Sequence, residues 1–169
     1  MSEALRGFFL IFIFALIMNI QFNLDADKTA TRQIKNSLEL AVHDASLAVD
    51  ENQLGKGFIV FDQGQAEIYF KDSLMFHLDL DSELVPNNDS FYEHPFELKL
   101  LQFVDDKTED PNNPGQTITF PYIYTDSLYD IVEVLYGPSV IAVIETTSPR
   151  YFSGDGITIR QAAVYEYFN

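Results

Sequence analysis

The sequence predicts an α+β fold, with one long N-terminal helix packed on a small antiparallel β-sheet domain. Three observations carry that expectation. No Pro or Gly occurs from Phe8 to Leu54. Within that stretch the pattern passes from continuous apolar residues to helical spacing. Beyond it come short β-branched and aromatic runs, separated by clusters of Pro, Gly and Asn.

The helix begins with Phe8-Phe9-Leu10-Ile11-Phe12-Ile13-Phe14-Ala15-Leu16-Ile17-Met18, which carries no polar side chain. The uncharged stretch continues through Ile20 to Leu24, about 17 residues, the lower end of what spans a bilayer. Three readings compete: a retained anchor, a cleaved secretory signal and a buried core helix. A signal needs small residues at its cleavage site, and Asn19-Ile20-Gln21-Phe22-Asn23 offers large ones. A core helix is rarely apolar on every face. The retained membrane anchor fits best. Arg6 is the cation nearest the run, and Asp25 and Asp27 follow it. That order puts the N-terminus in the cytoplasm and the following domain outside.

The second half of the helix is amphipathic. Ile34, Leu38, Ala41, Val42, Ala45, Ala48 and Val49 recur in steps of three and four, with Lys35, Glu39, His43, Asp44 and Asp50 on other faces. Gly55 is a natural stop. The helix is expected from about Glu3 to about Glu51, roughly 70 Å at 1.5 Å per residue. Its Ala-rich seam has two readings: packing on its own domain, or packing also on helices of other subunits. The chain therefore divides into an anchor and assembly helix at 1–54 and an acidic α+β domain at 55–169.

Within the domain, Gly57 to Asp62 reads as a short strand and Gln65 to about Leu78 as a helix. Asp79 to Glu93 reads as turns. Phe96 to Leu100 alternates as a half-buried strand should. Asp105 to Gln116 reads as a loop and Thr117 to Tyr124 as a strand edged at Pro121. Ile131–Leu135 and Val140–Ile144 flank Tyr136-Gly137-Pro138-Ser139 and read as a hairpin. After the Gly154-Asp155-Gly156 turn, Ile157 to Tyr165 gives the last strand.

Composition narrows the function. The formal net charge is −16, which opposes nucleic-acid binding and docking on anionic lipid. There is no Cys, and the three His are far apart in sequence, so thiolate and His-based metal motifs are missing. Asp79, Asp81 and Glu83 stand at i, i+2 and i+4, as oxygen ligands of a weak calcium site would. The Gly and Glu that complete an EF-hand loop are missing, and a solvated acidic turn explains the same residues. Asp105, Asp106, Glu109 and Asp110, with Asn112 and Asn113, form a second acidic loop of ordinary turn chemistry. Tyr122, Tyr124, Tyr129 and Tyr136 read as sheet and core residues. No nucleophile, zinc or phosphate-loop motif occurs in the sequence. No enzymatic activity and no cofactor beyond weak calcium is expected.

The order of short leader, hydrophobic helix, amphipathic helix and small β-rich domain resembles the type IV pilin-like superfamily. Within it the chain looks most like the TadE-type pilin-like proteins of Gram-positive bacteria. Arg6-Gly7-Phe8 is similar to a prepilin leader junction, where a membrane peptidase cuts after the Gly. Ala30 to Ser46 is similar to the second half of a pilin helix. The likeness covers about the first fifty residues, and Phe12 stands where pilins usually carry Glu. It implies a structural subunit that leaves lipid and self-associates into a helical polymer, at the cell surface or in an extracellular filament. Other pilin-like or secretion-machinery proteins would be its partners. The assembly and anchor residues would be Phe8, Phe9, Phe12, Ile13, Leu16, Ile17 and Ile20, then Leu38, Ala41 and Ala45, with Gly7 and Phe8 at the leader junction. The alternative expectation is a monomeric, membrane-anchored extracytoplasmic module that binds a cation or a protein partner.

Overall fold

The structure, a computed structural model, describes residues 2–152 and 154–167. Helix α1 runs Ser2–Ser46, 45 residues or about 68 Å. It ends five residues before the expected Glu51 for a local reason. The amides of Leu47 and Ala48 bond back three residues, to Asp44 and Ala45. Asp50 then caps a new short helix, α2 (Glu51–Leu54), by accepting from the amides of Asn52 and Gln53. Helix α3 spans Gln63–Leu78, close to expectation. The Asp62 side chain caps its start, and Asp79, left-handed at φ 54°, closes its end.

The strand expected at 57–62 does not form. Only Phe61 makes a bridge, to Val49. The amides that a neighbouring strand would need are taken by carboxylates: Ile59 donates to Asp106 at 2.7 Å and Phe61 to Asp105 at 3.2 Å.

Five strands follow: β1 (Glu97–Val104), β2 (Tyr122–Asp126), β3 (Ile131–Leu135), β4 (Ser139–Thr147) and β5 (Thr158–Glu166). They form an antiparallel three-stranded sheet in the order β1–β4–β5 and a separate β2–β3 ribbon. The long helix on a small antiparallel β domain is thus an α+β fold, as the sequence predicts. The expected hairpin between 131–135 and 140–144 is wrong. β3 pairs with β2, because the Asp126 side chain accepts from the amides of Leu128 and Tyr129 and Asp130 adopts φ 55°. That tight turn captures β3 before β4 is reached. In β1 the expected alternation is broken at Lys99, where the register shifts between Leu98 and Leu100. β2 starts later than expected, at Tyr122, and Thr117 makes only an isolated bridge to Glu109.

β4 explains how the layers stack. Val140, Ala142 and Ile144 join the core under α1 and α3, while Ile141 and Val143 join a second core under the ribbon with Val104, Ile131 and Leu135. A central strand covered on both faces is apolar without interruption, as Val140–Ile144 is. On the helical side, Ile34, Leu38, Ala41 and Ala45 are fully buried, against Phe70 and Leu74 of α3 and the sheet. The seam of α1 therefore packs on its own domain. Leu38, Ala41 and Ala45 leave no surface for a second subunit, which corrects their expected role in assembly.

Candidate functional site

One helix changes character within two residues. Burial in α1 begins at Ala26, which is 1% exposed. Before it, Phe8, Phe9, Phe12, Leu16, Ile17 and Ile20 are all exposed, and Ile13 is the least so at 36%. No part of the most apolar 18-residue window is buried, and the helix is long and apolar enough to cross a membrane. By length and composition it fits an anchor or a signal sequence. Removing these seven side chains from water is worth about 1.5–3 kcal/mol each, or on the order of 10–20 kcal/mol together. That is comparable to the whole stability of a typical domain, so cover by lipid or protein would be strongly favourable. Gly7 and Phe8 lie inside the continuous helix, and a Cβ on Gly7 would meet nothing within 4 Å. Arg6 bonds Glu3 at 3.1 Å on the exposed first turns.

The point where α1 enters the domain is a built junction. Asp27 accepts from the Arg150 guanidinium and from the Ser148 hydroxyl, the latter at 2.6 Å. Both partners come from the β4–β5 loop, and the side chains of Arg150 and Asp27 are only 13% and 15% exposed. Burial opposes ionisation of Asp27, but the hydrogen bonds from Arg150 and Ser148 and the Arg150 charge outweigh it. The carboxyl is held below its ordinary value. One turn nearer the N-terminus, Phe22 meets Phe152 of the same loop at 5.8 Å between ring centroids. Further along α1, the Tyr92 hydroxyl donates to the Ala30 carbonyl or the Gln33 side chain, at 3.4 and 3.2 Å. Burial pushes its phenol up. Gly156 keeps the loop closed against β4, since a Cβ there would collide with the Ser148 carbonyl and the Thr147 side chain.

The acidic candidates do not converge. Asp79 accepts from the Asn87 side chain at 2.8 Å, and Asp81 accepts from the amides of Glu83 and Val85, both at 2.9 Å. One oxygen of each carboxylate, Oδ1, closes the turn, and Glu83 is exposed. In the second acidic loop, Asp105 and Asp106 hold the 59–61 segment, and Asp110 is held below its ordinary value by hydrogen bonds from the Asn113 side chain and the Asn112 amide. Among the described residues, no three His, Asp or Glu side chains are grouped to hold a metal ion. Tyr122, Tyr124 and Tyr129 pack against the second core, as expected, but Tyr136 is 72% exposed and is not a core residue.

Sequence reasoning found the apolar half of α1 and missed the junction. Asp27, Ser148, Arg150 and Phe152 carry no local pattern; they meet only because β4 and β5 bring their loop back to the helix. In comparisons with known proteins, no family model, no curated protein and no solved structure matches this chain.

Proposed function

We propose that this protein is a pilin-like structural subunit of an extracellular filament or cell-envelope assembly. The apolar half of α1 anchors it in the membrane, with the acidic domain on the extracytoplasmic side. In the assembled state the same surface packs helix against helix. The observation that carries this reading is the abrupt change along α1, exposed and apolar through Leu24 and core-forming from Ala26. A helix built this way holds a folded domain at one end and offers about 26 Å of apolar rod at the other. Arg6 before the run and Asp25 and Asp27 after it support the orientation. All of the net charge of −16 lies beyond Leu24, because Glu3 and Arg6 cancel. The domain therefore stays soluble and does not adhere to anionic lipid.

Two measurements test the reading. Protease added to intact protoplasts should remove the domain and leave the anchor, and full protection would contradict the orientation. Purified full-length protein should form filaments, visible by electron microscopy, when detergent is withdrawn. Protein that stays monomeric in detergent and after its removal would contradict polymerisation and leave the anchored binding module as the reading.

A further inference from the structure

The β4–β5 loop, described at residues 148–152 and 154–157, meets the last turn of the apolar rod where Phe152 packs on Phe22. We infer that it is a lipid-contacting surface: Tyr151 and Phe152 insert at the boundary between head groups and acyl chains and seat the domain on the bilayer. The inference rests on the membrane-anchor part of the proposed function and adds a second point of membrane contact.

Depth along α1 carries the inference. The run Phe8–Leu24 rises about 26 Å, slightly less than the roughly 30 Å of a hydrocarbon core. It has no length to spare, so its last turn, with Phe22, lies at the edge of the hydrocarbon. Phe152 packs on Phe22 and so shares that depth. Tyr151, on the same loop, is 60% exposed and Phe152 is 47% exposed. Phe91 stands behind Tyr151, with ring centroids 6.4 Å apart. Aromatic rings are favoured at this depth, where one face is apolar and the other wet.

Charge selects the kind of lipid contact. Arg150 would be the loop's handle for anionic head groups, but Asp27 engages it. The rest of the domain is acidic. Attachment is therefore apolar, and it should be as good on neutral phosphatidylcholine as on any charged bilayer. Gly156, with no room for a Cβ, and the Ser148 amide bonded to the Ile157 carbonyl hold the two ends of the loop together, with Tyr151 and Phe152 between them.

The chain contains no Trp, so one substitution creates a single fluorescent reporter. Phe152→Trp and Tyr151→Trp, both at exposed positions, and Leu16→Trp in mid-run are to be reconstituted as full-length protein. The bilayers are phosphatidylcholine brominated either near the head groups or deep in the acyl chains. The expected result is loss of emission at 151 and 152 mainly from shallow bromines, and at 16 mainly from deep ones, unchanged by added salt. If the reporter at 16 is quenched by deep bromines while those at 151 and 152 respond only to aqueous iodide, the loop inference is overturned and the anchor stands. If the reporter at 16 is not quenched by any bromine, the anchor itself is overturned and the loop inference goes with it.

Discussion

The two halves of α1 share one backbone geometry and do opposite work. From Phe8 to Leu24 every large apolar side chain except the half-buried Met18 is exposed; from Ala26 to Ala45 the residues on one stripe are buried almost completely. The difference lies in pattern, not in propensity. The first half is apolar on all sides, so no single-sided contact with a domain can cover it. The second half has one apolar stripe and a polar remainder, which is what a helix lying on a sheet requires. Small residues on that stripe, Ala30, Ala41 and Ala45, bring the helix close to α3 and the sheet. The boundary is fixed by Asp27, whose bond to Arg150 ties α1 to the domain at the first point where burial begins.

Substitutions that place a charge in each half should separate the two roles. The largest effect is expected from Ala45→Glu. That position is fully buried, and an unpaired buried charge costs about 3–5 kcal/mol. A thermal melt of the domain should show a large fall in Tm or no cooperative transition. An unchanged melt would mean that the seam is free to face other subunits. Phe12→Lys should act on the other side of the comparison. A charge inside the run costs up to roughly 2.5–3.5 kcal/mol, the figure for the bilayer centre on insertion scales. The protein should leave the membrane fraction while the domain melts as before. Loss of domain stability in this variant would show that the halves are coupled.

The junction gives a smaller effect, with a defined pH dependence. Asp27 is held below its ordinary value of 3.8 by its partners. The stability it contributes is therefore complete above the unfolded carboxyl's pKa and is lost as pH falls through the lower folded value. Arg150→Ala should cost about 1.5–3 kcal/mol at neutral pH. It should also flatten the acid limb of the stability curve, which urea titrations at several pH values would measure. The smallest effect is expected from calcium. Asp79 and Asp81 already accept turn hydrogen bonds, so Tm should not move across millimolar calcium. A rise would reveal a site formed by rearrangement of that turn.

Much of this architecture is legible in the sequence where one segment determines its own structure. The apolar run, the stripe from Ile34 to Ala45 and the helix ending at Leu78 all follow from spacing. Contacts set by distant partners are not legible. The run at 57–62 looks like a strand, but its amides belong to carboxylates at 105 and 106. Tyr136-Gly137-Pro138-Ser139 looks like the hairpin turn, yet Asp126 and Asp130 close a tighter one first, without a Gly to advertise it. At the candidate site the exposed half of α1 is readable, whereas Asp27 and Ser148 are 121 residues apart and meet only through the sheet.

The most direct measurement of the central claim, that α1 is two functional elements in one helix, is to cut between them. A chain beginning at Asp25 keeps the Asp27 junction and the whole buried stripe, and loses the exposed apolar half. It should be a soluble monomer by analytical ultracentrifugation, and its melt should match that of the full-length domain in detergent. A truncated chain that aggregates, or that melts without cooperativity, would contradict the claim, because it would show that residues before Asp25 are needed to hold the domain together.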